Sequence, residues 1–425
     1  MTLDALVVAD DLTGAMDTGQ AFAARGHPTT VAVGTDGARP EEGVLVVNTD
    51  SRYLPPEEAR TAVERVVAGV PARVVYKKID STLRGNLTAE IGAALDAAGA
   101  DRALVAPAFP AGGRLTACGV HLVDGALVTD TAAGRDPDSP VSSAHLPTLL
   151  GDGERPVAHL GVETVAGGPG AVADAVRDAA GSVLACDAVH DDHLVSLARG
   201  AERSGEAVVY VGSAGLAGAL ELPTEPDRET ESAVDDPGPA ADARVLGIAG
   251  SASPTTVEQL GAVPAERLVA LDGERASADP SGAAAAAADR ALAVLDDVGT
   301  VVVASVLEEG DVDRALRAGR EADVDPGTVR ERVAESLARV AMRVWERAPP
   351  DGLFVTGGAV AGRVFDALGA TGVRLTGGAV EAGVPIGRVL DGTATGTRVV
   401  TKAGAFGGER TIVNCLARLG GSDGE

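Results

Sequence analysis

LDALVVADDLTGAMDTGQAFAARG, residues 3–26, sets an apolar β-branched run against a segment of helical period, with two acids at the junction. Residues 3–9 have the composition of a buried strand, and the apolar positions of 14–26 recur at helical spacing. The pairing repeats along the chain. VLVVN (44–48) precedes PEEARTAVERVVAG (56–69), and RVVYK (73–77), RALVA (102–106), SVLAC (182–186) and AVVYV (207–211) continue the series, each bounded by Gly, Pro or an acidic turn. Strands apolar throughout that alternate with helices belong to a parallel sheet covered on both faces. Residues 1–220 are therefore expected to form one sheet-based domain.

Beyond it, ELPTEPDRETESAVDDPGPAADA (221–243) is rich in Pro and acid and has no apolar period, so it is expected to be a linker. Strand-like runs resume at RVLGIAG (244–250), TVVVAS (300–305), LFVTG (353–357) and TRVVTK (397–402), with a long helical pattern over 326–348. Residues 244–425 read as a second domain. The expected fold class is α/β with two domains, each a mainly parallel sheet flanked by helices, and a cleft between them.

Composition narrows the function. The chain has 425 residues, 45% of them hydrophobic, enough for two cores. Its 36 Lys and Arg stand against 62 Asp and Glu, a formal charge of −26 that repels phosphate backbones and anionic lipid. No nucleic acid and no membrane is expected as a partner. Lysine occurs only at Lys77, Lys78 and Lys402, so a Gly-Lys-Ser/Thr phosphate loop is absent. Cys118, Cys186 and Cys415 are too far apart for a local zinc or disulfide pattern. With no basic leader and no apolar run of about 18 residues, a cytoplasmic protein is expected.

Three places carry chemistry. Asp10 and Asp11 follow the first strand, at the end of a sheet where open α/β folds bind ligands. One could orient or deprotonate a hydroxyl, while Asp11 could equally cap the next helix. YKKIDSTLRGN (76–86) holds two of the three lysines with an arginine at a strand-to-helix junction suited to an anion. NTDSR (48–52) repeats the arrangement, and Arg52 is suited to a bidentate carboxylate contact. In the second half, glycine-rich turns follow strands at 247–254, 356–362 and 401–408, the last beginning with Lys402. Their backbone amides can approach phosphate oxygens, which points to a nucleotide polyphosphate. His190-Asp191-Asp192-His193 reads better as a helix cap than as a metal site, and no metal-ligating residues are assigned.

ADDLTGAMDTG (9–19), TDSR (49–52), YKKIDSTLRGN (76–86), APAFPAGGRLT (106–116), GSAGLA (212–217), GSAS (250–253), VTGG (355–358), GVP (383–385) and TKAGAFG (401–407) resemble the four-carbon acid sugar kinases from end to end. The resemblance implies an N-terminal domain for a small-molecule sugar acid such as threonate, erythronate or 3-oxo-tetronate. It also implies a C-terminal domain for ATP, accompanied by Mg²⁺, with transfer to the terminal hydroxyl in the cleft between the domains and a homo-oligomer allowed. Carried over residue by residue, Asp10 or Asp11 is the base, and Arg52, Lys78, Asp80, Ser81 and Arg84 hold the substrate. Ser251 or Ser253, Gly357, Gly358, Lys402 and Gly404 hold the nucleotide. The chain departs from the family pattern at Ala359 and Val360, where GGET or GGDT is usual, and at Ala403 and Ala405, where KSGNFG is usual. Those changes remove side-chain contacts to metal or ribose and leave the backbone contacts. A sugar-acid sensor without catalysis stays open as the alternative, and a nicotinamide enzyme is disfavoured by the missing G-x-G-x-x-G.

The acid excess, with 5 Phe, 3 Tyr and 1 Trp, fits either a salt-rich cytoplasm or a GC-rich genome, and stability against salt separates the two. Charges act over roughly 30 Å at about 0.01 M salt and roughly 3 Å at about 1 M. Under the salt-rich reading the thermal midpoint climbs between about 0.05 and 1 M KCl. A flat or falling midpoint over that series rejects it.

Overall fold

The computed structural model describes residues 2–136, 138–223, 238–240 and 243–421, so most of the linker expected at 221–243 lies outside the described residues. The chain divides into two compact units, Met1–Thr35 with Arg39–Thr230, and Asp36–Ala38 with Glu231–Glu425.

In the first unit the strands are β1 (Leu3–Ala9), β2 (Thr29–Ala32), β3 (Val44–Asn48), β4 (Ala72–Lys78), β5 (Arg102–Ala106), β6 (Arg114–Ala117), β7 (Val120–Val123), β8 (Ala126–Leu127), β9 (Val157–Leu160), β10 (Val183–Cys186) and β11 (Val208–Gly212). The main sheet runs β2-β3-β1-β4-β11-β5-β10-β9, with parallel pairing throughout. Register decides what meets at its carboxyl edge. Ala9 lies opposite both Asn48 and Lys78, and Lys78 lies opposite Gly212. The residues that follow β1, β3 and β4 therefore leave the sheet side by side.

Helices α1 (Leu12–Ala23), α2 (Pro56–Gly69) and α3 (Leu87–Ala98) cover the sheet. Asp11 caps α1, its Oδ1 accepting from Gly14 N at 3.0 Å. Helix α2 opens on Pro56 with Glu57 and Glu58 in its first turn, favourable at the positive end of the helix dipole. Helix α3 stops at Gly99, which takes the left-handed conformation that L-residues avoid. Leu6, Val8, Leu45, Val47, Ile91 and Val105 form part of the buried core.

A separate antiparallel sheet, β6-β7-β8, was not expected from the sequence. Its two tight turns are Cys118-Gly119 and Asp124-Gly125, all four residues at positive φ as a two-residue hairpin requires. Asp-Gly is a strong local hairpin signal, and the short strands around it hide it.

The second unit carries β12 (Val245–Ala249), β13 (Leu268–Ala270), β14 (Thr300–Ala304), β15 (Gly352–Thr356), β16 (Gly372–Glu381), β17 (Val384–Val389) and β18 (Arg398–Lys402), in the order β13-β14-β12-β15-β18-β17-β16. The pairings from β13 to β18 are parallel, and β18-β17 and β17-β16 are antiparallel. Both units thus have the mainly parallel, helix-flanked α/β architecture expected. No helix among the described residues is long and apolar enough to cross a membrane.

Candidate functional site

At the carboxyl edge of the first sheet, Thr49 binds the Ala9 carbonyl oxygen through both its amide (2.9 Å) and its hydroxyl (2.8 Å). This lays residues 49–52 across the end of β1. Arg52 then closes on the acid pair. Its Nε and a terminal nitrogen donate to the two oxygens of Asp10 at 2.7 and 3.1 Å, and its other terminal nitrogen donates to Asp11 at 3.1 Å. Burial works to raise the Asp10 carboxyl, but Arg52, Lys77 and Lys78 outweigh it and hold it below the usual carboxylate range. This geometry corrects two expectations. Arg52 is not a free clamp for an incoming carboxylate, because its fork is filled by protein acids. Asp10 is not a free base, because both of its oxygens are engaged. Asp11 shares the guanidinium, accepts the Thr13 hydroxyl at 2.7 Å and caps α1, so its capping role and its place in the site coexist.

Beneath the acids lie the lysines. Lys77 is fully buried and pairs with Glu90 of α3 at 3.0 Å, while Glu90 also accepts from the Ser51 hydroxyl. Removing one member of such a pair leaves an unpaired buried charge, at a cost of about 3–5 kcal/mol. Lys78 is also buried and donates to the Ile79 carbonyl oxygen at 2.8 Å. A β-carbon at residue 14 would lie 2.9 Å from its Nζ and 2.5 Å from Asp11 Oδ1. Only glycine at 14 lets the lysine head and the acid meet under the first turn of α1.

The turn after β4 is held from three sides. Asp80 receives Arg84 Nε and the Thr82 hydroxyl, each at 2.6 Å. Burial would raise Asp80, and the Arg84 and Arg52 charges reverse this to hold it well below its usual range. Arg84 also reaches Asp136 at 3.2 Å, and Gly85 N donates to Ser139 Oγ at 3.0 Å. Leu83 adopts φ of 65°, a strained value for a non-glycine residue, with its side chain anchored in the core. His121 of β7 supplies the third support. Burial lowers its pKa and keeps the ring neutral, so that Nε2 donates to the Ser81 carbonyl oxygen (2.9 Å) and Nδ1 accepts from the Thr116 hydroxyl (2.9 Å). The Ser81 hydroxyl makes no hydrogen bond among the described residues. Arg84 is the partly exposed cation of this site.

In the second unit the glycine turns converge. Gly357, at φ of 101°, would place a β-carbon 3.2 Å from Ser251 N, and a side chain at Gly404 would run into the Ser251 hydroxyl. Ser251, Ser253, Gly357, Gly358 and Gly404 therefore share one locality, at the start of the helix Gly358–Ala367. The buried Thr356 hydroxyl, immediately before this turn, has no hydrogen-bond partner among the described residues. An open backbone cradle at a helix N-terminus with an orphan hydroxyl beside it suits a polyphosphate. Lys402 is placed differently from the expectation. Its Nζ turns inward, donating to the carbonyl oxygens of Ala403 (2.9 Å), Gly404 (3.0 Å) and Phe406 (3.3 Å), and lies 3.3 Å from Thr256 Oγ1. Burial pushes its pKa down to about 8. Gln259, which sequence reasoning missed, donates from Nε2 to the Phe406 and Gly408 carbonyl oxygens at 3.0 and 2.8 Å. Of the four apolar departures, Val360 is buried over Gly250, Ala403 is half-buried, and Ala359 and Ala405 are exposed. His190 caps the helix Asp191–Ser204 through its ring, and no metal-binding cluster occurs among the described residues.

The first unit thus carries an ionic site at a sheet edge, and the second a glycine-lined backbone cradle at a helix start. Residues 5–220 match the family described as a sugar-binding N-terminal domain, and residues 246–412 the one described as a nucleotide-binding C-terminal domain. Together with the relatives below, these matches show that the chain belongs to the four-carbon acid sugar kinase family. It is 31% identical over 422 residues to a D-threonate kinase of Salmonella typhimurium, covering 97% of each chain. A D-threonate kinase of Bordetella bronchiseptica is 35% identical, over 97% of this chain and 96% of that protein. A D-erythronate kinase of Heliobacterium modesticaldum is 31% identical with the same coverage. A solved structure from Salmonella typhimurium LT2 shares the fold at a TM-score of 0.77 and 23% identity, covering 97% of this chain and 98% of that one.

The inward Lys402 has a measurable consequence. Replacing it as Lys402→Met removes charged hydrogen bonds that contribute about 1.5–3 kcal/mol each. Exchange of the Phe406 amide, which donates to Ala403 O, should then accelerate by roughly tenfold or more. Unchanged exchange there would show that the ammonium does not hold the loop.

Proposed function

We propose that the protein is an ATP-dependent kinase that phosphorylates the terminal hydroxyl of a four-carbon sugar acid of the threonate, erythronate or 3-oxo-tetronate type. The observation that carries this reading is the assembly of Asp10, Asp11, Arg52, Lys78, Asp80 and Arg84 at the neighbouring carboxyl ends of β1, β3 and β4. It is supported by relatives named as D-threonate, D-erythronate and 3-oxo-tetronate kinases.

In this reading Arg84 takes the substrate carboxylate. It is partly exposed, and its partner Asp136 leaves part of the guanidinium fork accessible. The Ser81 hydroxyl is available for a substrate hydroxyl. Asp10 and Asp11, fixed by Arg52, orient the sugar-acid hydroxyls by accepting their hydrogen bonds, and Lys78 offsets the negative charge gathered there. Ser251, Ser253, Gly357, Gly358 and Gly404 hold the nucleotide phosphates, while Lys402 keeps the 403–408 turn in shape. Mg²⁺ would accompany ATP on its phosphates and water, neutralising charge as transfer proceeds. Positioning and charge neutralisation are what phosphoryl transfer chiefly requires. A cytoplasmic location fits an ATP-dependent reaction.

A coupled ADP-release assay across D-threonate, D-erythronate and 3-oxo-tetronate tests the reading. Turnover with at least one acid is expected. Binding of an acid without ADP release would favour a sensor that has lost catalysis along with the side chains absent at 359, 360, 403 and 405. With the preferred acid, Arg84→Ala should raise the acid KM about tenfold or more, as loss of a charged hydrogen bond of about 1.5–3 kcal/mol implies. The ATP KM should stay near its original value. A shift in the ATP constant alone would reverse the ligand assignment of the two units.

A further inference from the structure

Asp10 and Asp11 are both committed to Arg52, and Asp10 is held in its weakly basic form. A third carboxylate stands on the helix that follows them. Asp17 lies three residues beyond Gly14 on α1, so the two share the helix face under which the Lys78 ammonium sits. Unlike its two neighbours, Asp17 makes no hydrogen bond or ion pair among the described residues, and it is only partly buried. Burial, with a smaller contribution from Asp11, pushes its pKa up to about 6 against the pull of Lys78. The elements packed on α1 add little else. Strands β2 and β3 and the helix Ala214–Ala219 hold no titratable side chain, and β1 holds only Asp4 near its opposite end. On β4, Lys78 and the phenol of Tyr76 face it, and burial keeps that phenol protonated far above neutral pH.

We propose that Asp17 is the general base of the reaction, taking the proton of the substrate hydroxyl that attacks ATP. The proposal rests on the kinase reading above. The hydroxyl oxygen forms a bond to the γ-phosphorus as its proton passes to a carboxylate oxygen of Asp17. The bond between the γ-phosphorus and its bridging oxygen breaks, and ADP leaves with that electron pair. A base whose pKa lies near the working pH is best placed for this transfer, and Lys78 keeps the Asp17 charge from rising too far in energy. Arg52 with Asp10 and Asp11 orients the substrate, and the proton goes elsewhere.

The test compares kcat across pH for the wild type and for Asp17→Asn, with the preferred four-carbon acid and saturating ATP. Below about pH 6 the wild-type carboxylate becomes protonated and cannot accept, so kcat falls on the acid side. Asp17→Asn should lower kcat by about 10²–10⁴ and abolish that acid limb, with both KM values and the thermal midpoint little changed. Asp17→Glu should recover part of the rate together with the limb, which a purely structural defect would not do. An Asp17→Asn enzyme that keeps its rate, or that keeps the acid limb at a reduced rate, overturns the proposal while leaving the kinase reading intact. A wild type that releases no ADP with any of the three acids overturns the kinase reading and the proposal with it.

Discussion

The bonds from Arg52 to Asp10 and Asp11 are the constraint on which the carboxyl edge of the first sheet depends. They join the loop after β3 to the end of β1 and bring the buried Asp10 and the partly buried Asp11 close together, an arrangement that would be repulsive without the guanidinium. The cation is itself buried and would be costly without the acids. Each half of the group is therefore tolerated only because of the other. The same logic continues downward through Lys77 and Glu90, whose charges are cancelled within the sheet-helix layer and whose outer members, Ser51 and Thr49, lead back to the Arg52 loop. The site is stiff because moving any one charge exposes another.

The two units solve different problems with different materials. The first is built on side chains, concentrating acids, arginines and lysines at one sheet edge. The second offers backbone, and its side chains act mainly behind the surface. Lys402, Thr256 and Gln259 all bind carbonyl oxygens of the 403–408 turn. This division explains why apolar residues at 359, 360, 403 and 405 leave the local structure whole. Val360 exchanges a polar position for packing over Gly250, and the turn retains its shape through the groups beneath it.

Much of this could be read from the chain. The parallel strands are apolar throughout, and their period separates cleanly from that of the helices, so the fold class followed directly. Register then explains why motifs about 30 to 70 residues apart in sequence share one place: Asn48 and Lys78 flank Ala9 across the sheet. What could not be read was which charges pair with one another. Arg52 was equally suited to a ligand carboxylate or to Asp10, because the sequence records residue types and leaves directions unstated. Lys402 sits in a motif that suggests phosphate, yet its ammonium turns toward its own loop. Asp17 and His121 attracted no notice because Asp17 is the lone charged residue of α1 and His121 the lone polar residue of β7, and only the fold shows what they face.

The three lysines are all interior, at 0%, 4% and 0% exposure for Lys77, Lys78 and Lys402. The outward positive charge is thus carried by guanidinium groups, and the folded surface is nearly without primary amines apart from the chain's own N-terminus. Reagents that acylate amines will find little to react with until the sheet edges open. Their uptake at three known positions then turns the native sequence into its own recorder of opening, one that reports the first unit and the second separately without any introduced label.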